Sequence, residues 1–510
     1  MSAVLYQSGS QLPMEEVVPA AASVKGLTRS SILTQRRRVR IAAQNGRDVG
    51  TGTGASAAGA GNQQLQFLLA DAGGLVDPSS IALVYNICTN NAVPDDGHPF
   101  TRVQISLNGQ LLDDVNSAAK NTNAEVNLSA TKDWYSTAGS FCGFELLNNE
   151  LNTAAATTSV AALAGATWGA ATAAVNTAAL GNYLQQYSSA WGDVSGNFFN
   201  MEARYDDAAT TANPLGGVQR VLPLGLISGV GRMKQYLPLS ILGELSLTFF
   251  TGSANEVLFT PAGGVSPDYS LRGCFLVADI VIPHPAYAEV LARMANEGSD
   301  GGLSMPYEST IVSQGGVMTN SAGALTDYSI IVSRATNNLV RSLTWFQPQA
   351  RLTSSQYPIQ SCFNHAFVNK IQWRVGSQFY PSIPAEGDAD IWAMSASAYG
   401  TAGLNEQNGV ANRILWAQTT PISQVSAHTN GEGFYKFDYS DKFTPAYGFR
   451  IVKGASEEIQ MDGISLAGAS GAQAVVAVTA APAVDTAPFV SLVATRVISA
   501  ANGQVRVLGA

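Results

Sequence analysis

Apolar and polar residues alternate with a period of two along much of this chain, the pattern of strands that bury one face. Residues 100–115 carry it most plainly. Val103, Ile105 and Leu107 alternate with polar neighbours, and Asn108-Gly109 follows, a dipeptide that readily takes the positive φ angles of a two-residue hairpin turn. The C-terminal stretch repeats this grammar, with Val493, Thr495 and Val497 before Asn502-Gly503 and with Val505 and Val507 after it. Further strands are predicted at 38–42, 65–69, 81–87, 245–250, 274–282, 328–333, 339–346, 371–375, 414–418, 434–437 and 449–452. Many short strands parted by Gly- and Asn-rich turns predict an all-β sandwich or barrel class. Three segments read as helices. Residues 286–297 place Tyr287, Val290, Leu291 and Met294 on one face between Pro285 and Gly298; 182–191 align Tyr183, Tyr187 and Trp191 before Gly192; 388–399 run from a capping Asp388 to Gly400.

The strand pattern occurs twice. Leu276-Val277-Ala278-x-x-Val281-Ile282 is echoed by Leu492-Val493-Ala494-x-x-Val497-Ile498, 216 positions later (492 − 276), and Trp191-Gly192 by Tyr399-Gly400, 208 later (399 − 191). Arg102-Val103-Gln104 with Gln110 is echoed by Lys370-Ile371-Gln372 with Gln378, but 268 positions later (370 − 102). The falling offset predicts an insertion in the first half between positions 110 and 191, where an uncharged Ala/Thr-rich tract occupies 151–180. At 510 residues the chain also exceeds the roughly 250 to 300 that one core supports. The expected organisation is an N-terminal arm over 1–28, a first domain over 29–298 carrying the insertion at about 151–180, and a second domain over 299–510. The boundary falls in the Gly/Ser/Asp-rich stretch 296–303.

Composition narrows the function. Charged residues are 13% of the chain, against about 25% in an average soluble protein, so the surface is covered largely by small and uncharged polar side chains. Such a surface sheds its water cheaply when copies meet, which favours extensive subunit contact. A net charge of −9 and a pI near 5.0 argue against a protein whose main task is to coat nucleic acid, and no sequence-specific nucleic acid is expected as a partner. No run of about 18 apolar residues predicts a membrane span, and residues 1–18 lack the basic and apolar regions of a signal peptide, so secretion by that route is not expected. Cys88, Cys142, Cys274 and Cys362 are too sparse for a disulfide framework and are expected to be reduced thiols.

Chemistry-bearing motifs are few. Gly50-Thr51-Gly52-Thr53-Gly54, with Gly59 and Gly61, lacks the helix that must follow a phosphate-binding loop, so it reads as a strand connection. Arg36, Arg37, Arg38 and Arg40 form the densest positive charge. They are the candidate contact to an inner surface bearing nucleic acid, anionic lipid or an acidic partner, and the competing reading is a strand with a solvated or salt-bridged face, since Arg38 and Arg40 alternate with Val39 and Ile41. His98, His284, His365 and His428 are scattered, and Cys362-x-x-His365 is the closest soft-ligand pair, so no metal or cofactor is expected. Serine lies in no G-x-S-x-G elbow, and the acidic pairs Asp95-Asp96, Asp113-Asp114 and Glu457-Glu458 adjoin turns as solvated caps, so no catalytic residue and no enzyme activity are predicted. Asn127-Leu128-Ser129 is a glycosylation sequon that goes unused without secretion.

Two stretches carry a resemblance. Residues 220–250, with Leu222-Pro223-Leu224 and Leu237-Pro238-Leu239, and residues 369–384, with Val375-Gly376 and Tyr380-Pro381, resemble in that order segments of the double jelly-roll major capsid proteins of tailless icosahedral double-stranded DNA viruses, in the lineage of polinton-like viruses, virophages and large algal viruses. The resemblance implies two tandem eight-stranded jelly-roll β-sandwiches, upright in a virion shell, with three chains forming a pseudo-hexameric homotrimeric capsomer. It implies as partners further capsomers, penton proteins and minor capsid or cement proteins, with an internal membrane beneath as an open possibility. It implies assembly in the host cytoplasm or nucleus. The tract at 151–180 would fall at the outward tower between the fourth and fifth strands, and the arm with its nearby arginines at the capsomer base. The other reading is a carbohydrate-binding or adhesive β-sandwich protein, which calls for exposed Trp and Tyr on one sheet.

Overall fold

The computed structural model describes residues 33–53, 56–70, 73–90, 93–94, 97–130, 134, 138–144, 217–259, 267–296, 303–332, 338–353, 360, 366–375, 378–398, 446–450, 474–482, 484–501 and 504–508. Eight main strands come first: β1 (Leu33–Ala42), β2 (Gln64–Leu69), β3 (Leu75–Asn90), β4 (Phe100–Leu107), β5 (Gln110–Asn116), β6 (Val218–Pro223), β7 (Leu245–Thr251) and β8 (Asp268–Pro283). Eight more follow: β9 (Leu303–Gln314), β10 (Thr326–Val332), β11 (Leu339–Pro348), β12 (Val368–Val375), β13 (Gln378–Glu386), β14 (Tyr447–Arg450), β15 (Ala474–Ala480) and β16 (Thr486–Ala501), with β17 (Gln504–Leu508) folded back on β16. Helix α1 (Ala118–Ser129) follows β5, α2 (Pro285–Asn296) joins the halves, and α3 (Asp388–Ala398) follows β13.

Pairing defines the architecture. The first half forms one sheet in the order β1-β8-β3-β6 and another in the order β2-β7-β4-β5, and the second half repeats both as β9-β16-β11-β14 and β10-β15-β12-β13. Numbered within each half, both read 1-8-3-6 against 2-7-4-5, with neighbouring strands antiparallel throughout. That order is the jelly roll, two Greek keys wrapped into a sandwich. The fold is therefore all-β, two tandem eight-stranded jelly rolls with a few short helices.

Local sequence accounts for the register. Asn108 (φ 49°) and Gly109 (φ 76°) make the tight turn that pairs Leu107 with Gln110, and Val375 pairs with Gln378 in the same way in the second half. Two of the three sequence echoes fall on equivalent strands, Arg102 and Lys370 on β4 and β12, Leu276 and Leu492 on β8 and β16; the third, Trp191-Gly192 with Tyr399-Gly400, lies outside the described residues. The offset falls in two steps rather than one, from 268 at the fifth strand (378 − 110) to 229 at the sixth (447 − 218) and 218 at the eighth (486 − 268). Most of the extra length thus lies between the fifth and sixth strands, and a smaller part between the seventh and eighth. The tract at 151–180 belongs to the connection between the fifth and sixth strands, not to one between the fourth and fifth.

Alternation becomes burial. On β2 Leu65, Phe67 and Leu69 face inward, and on β7 Leu245, Leu247 and Phe249, while Gln64, Ser246 and Thr248 face out. Edge-to-face pairs Phe67–Phe249 (6.0 Å) and Tyr85–Phe100 (5.5 Å) fill the first core; stacked Trp345–Phe489 (5.6 Å) and Trp373–Phe449 (4.8 Å) fill the second. In α2, Leu291 and Ala295 are buried with Tyr287 and Met294 against them, whereas Val290, expected on the same face, is 51% exposed. A stripe at 287, 291 and 294 puts 290 on its flank. The expected helix at 182–191, the strands at 414–418 and 434–437, the tract and the arm lie outside the described residues.

Candidate assembly interface

The two sandwiches meet edge to edge in a seam of buried polar groups. The run Leu111-Leu112-Asp113-Asp114 breaks alternation, and β5 answers with a bulge: Asp113 pairs with Ile105 and Leu111 with Ser106, leaving Leu112 without a partner on β4. The bulge pushes Leu112 and Asp113 toward β9 and β16. The Leu112 carbonyl accepts from the Tyr307 hydroxyl (2.8 Å) and Arg496 Nη1 (3.2 Å), while its side chain is fully buried. Asp113 Oδ1 accepts from Ser309 Oγ (3.0 Å) and the Thr310 amide (3.1 Å), and Oδ2 from Ser228 Oγ (2.6 Å).

Burial raises the Asp113 pKa to about 6, against the three hydrogen bonds and Arg496, which favour the ionised form. The expectation that Asp113-Asp114 is a solvated cap is thus half corrected. Asp113 is buried because the bulge turns it inward, and Asp114 forms a bidentate pair with Arg102 (2.8 and 2.7 Å) on the outer face of the sheet.

Around this centre the contact widens. The Gln110 side chain donates to the Val505 carbonyl (2.7 Å) and accepts from the Val507 amide (3.1 Å). Helix α1 reaches the second sandwich through Lys120, whose Nζ lies 4.8 Å from the centre of the Phe489 ring. Burial would raise the pKa of Glu125, but the Arg232 and Arg341 guanidiniums beside it hold it below the usual value. Gly229 packs so closely on β9 that a Cβ there would stand 2.0 Å from the Glu308 carbonyl oxygen. The arrangement fixes one sandwich against the next.

The basic run lies on β1, an outer strand of its sheet. Arg36 pairs with Asp77 (3.0 Å) and Asp279 (2.8 Å), and the Arg40 guanidinium lies 3.4 Å from the centre of the Phe275 ring. Arg37 and Arg38 are exposed, and Val39 and Ile41 pack against the core. Arg36 is thus held by an ion pair and Arg40 by an aromatic ring of the neighbouring strand.

The remaining motifs behave as ordinary structure. Residues 50–53 and 56–61 connect β1 to β2, with Thr51 bridged to Ala58. Cys88, Cys142 and Cys274 are buried. His98 is buried between Thr122 Oγ1 (3.3 Å) and the Phe100 amide (3.3 Å), and burial together with Arg220 lowers its pKa to about 3. The sequon lies on α1, where Ser129 Oγ bonds the Glu125 carbonyl (2.8 Å). Among the described residues no group of three or more His, Cys, Asp or Glu is placed to hold a metal ion, and no helix is long and apolar enough to cross a membrane. Cys362, His365, His428, Asp95-Asp96 and Glu457-Glu458 lie outside the described residues. Tyr307, Ser309, Thr310 and Ser228 were not expected as site residues; the broken alternation at 111–114 is the signal that leads to them.

No protein-family model matches the chain, and no curated protein matches it. Solved structures with a similar course include PBCV-1 VP54 as fitted into a reconstruction of the virophage Sputnik, with TM-score 0.49 and 11% identity over 94% of this chain and 98% of that one. The mavirus major capsid protein gives TM-score 0.45 and 10% identity over 92% and 89%. The Faustovirus major capsid protein gives TM-score 0.46 and 10% identity over 94% of both chains.

Proposed function

We propose that this chain is a major capsid protein that self-assembles into homotrimeric, pseudo-hexameric capsomers of an icosahedral virion shell. The observation that carries the reading is the seam. Two jelly rolls are locked side by side through the fifth strand of one and the first strand of the next, a contact that can be repeated between chains. Three chains then offer six sandwiches for a closed ring. A chain of which only 13% is charged supports extensive contact, because few ions must be desolvated. The carbohydrate-binding alternative gains nothing from Trp345 and Trp373, which are buried in the core rather than displayed.

Penton and minor capsid or cement proteins, and a membrane beneath the shell, follow as partners of such a capsomer. Sedimentation velocity on the purified protein at micromolar concentration tests the reading, with negative-stain images of the same sample. A trimer with a six-sided outline is expected; a monomer overturns it.

A further inference from the structure

Each half has a fifth strand and a first strand, yet among the described residues only one such pair meets within a chain. The fifth strand of the first sandwich packs on the first strand of the second. The fifth strand of the second, β13, and the first strand of the first, β1, are left over.

These two edges differ from their engaged counterparts in burial. The common register against β8 and β16 aligns Arg37, Val39 and Arg40 of β1 with Tyr307, Ser309 and Thr310 of β9, since Arg37 pairs with Ile280 as Tyr307 pairs with Arg496. Tyr307, Ser309 and Thr310 are buried by the first sandwich, while Arg37 and Arg40 are exposed and Val39 only half-buried. On the other edge, β13 bulges as well, though farther from its turn than β5, which bulges between the partners of Ile105 and Ser106. Ile371 pairs with Ala385 and Trp373 with Tyr380, which puts residues 381–384 into the bulge. In β5 the bulge residue Leu112 is 0% exposed against the neighbouring sandwich; in β13 the bulge lifts Ile383 to 78% exposure. Pro381 and Pro384 flank it, so this edge offers no continuous ladder of amides, and contact through the side chain is what it can give. Exposed Asp390 stands just beyond the bulge, opposite in sign to the arginines of β1, beside Glu386, which is paired with Lys370 (3.2 Å).

We infer that a second copy of this chain docks here, its β13 bulge with Ile383 seated on the β1 edge formed by Arg37, Arg38, Val39 and Arg40, in the manner of Leu112 on β9. The inference rests on the capsomer reading and names the surface it uses. The contact is heterologous, one surface on each copy, so its repetition closes a ring when the turn between chains matches the turn within one. It assigns the basic run to a neighbouring subunit instead of to an inner-surface ligand.

Ile383→Asp and Arg38→Glu test it in the full-length protein by sedimentation velocity beside the unmodified chain. Both side chains are exposed, and circular dichroism at the same concentration reports whether each variant keeps its β content. The expected result is that the unmodified chain sediments as a trimer and both variants as folded monomers. Leu325→Asp, on a residue 59% exposed before β10 at the opposite edge of the sheet, stays trimeric. Trimers in folded Ile383→Asp or Arg38→Glu overturn the surface and leave the capsomer reading standing; a monomeric unmodified chain overturns the capsomer reading itself.

Discussion

Asp113 concentrates the energetics of the seam in one carboxylate. Its folded pKa lies above the value of 3.8 for a free side chain, so the folded state binds a proton more tightly than the unfolded one. Its contribution is therefore most favourable below about pH 4 and declines as the pH rises through about 6, by on the order of 3 kcal/mol at about 1.4 kcal/mol per pKa unit. His98 acts in the opposite sense. Its lowered pKa means that the unfolded chain takes up a proton below about pH 6.5 that the folded chain refuses until about 3, so His98 costs stability as the pH falls through that window. The two trends overlap, and only a difference between variants isolates either one. Asp113→Asn keeps an oxygen for Ser309 and Thr310 and an amide for Ser228; subtracting its urea-unfolding curves from those of the unmodified chain leaves the declining component between pH 4 and 6.5. An unchanged slope contradicts the assignment. Asp113→Ala instead strands three buried donors at about 1–3 kcal/mol each and lowers the melting temperature at every pH in that range, read by calorimetry.

At the scale of elements, the strands were legible and the seam was not. Val103, Ile105 and Leu107 with Asn108-Gly109 specify β4, its turn and its partner because strand alternation and positive-φ turn chemistry are local. Helix α1 has no such signature. Asn121, Thr122, Asn123 and Glu125 are buried in it, and Thr122 and Asn123 bond back to the carbonyls of Ala118 (2.9 Å) and Ala119 (3.1 Å), so its inward residues look polar in sequence. Such a helix is stabilised by the sandwich it meets rather than by its own pattern. The Arg run was legible as charge and as a strand, but its meaning depends on which edge of which sandwich is left bare. Gly229 poses a similar problem, being one glycine among 49 until the Glu308 carbonyl is seen against it. Gly229→Ala must part β9 from the turn at residues 229–232. A loss of about 1–3 kcal/mol is expected from overpacking, together with faster proteolysis of the chain, compared by timed digestion. Digestion at the unmodified rate with unchanged stability contradicts the close packing.

On the scale of the whole molecule, the offset arithmetic of the sequence anticipated two equivalent halves, and the strand order gives them the same 1-8-3-6 and 2-7-4-5 topology. What it could not anticipate is that equivalence stops at the edges. Among the described residues the first strand of the second half is covered, that of the first half is exposed, and the fifth strands differ in the same way. If β1 and β13 dock as inferred, one chain is a segment with one docking surface at each end, and repetition of such a contact either polymerises or closes. Closure has a thermodynamic mark, because a partner that binds the folded state and not the unfolded one raises apparent stability by mass action. The melting temperature of the unmodified chain is therefore expected to rise with protein concentration, measured by calorimetry across two decades. In Ile383→Asp, which keeps the fold and loses the knob, it is expected to stay constant. A concentration-independent melting temperature in the unmodified chain would contradict reversible association of folded copies, whatever sedimentation shows at a single concentration.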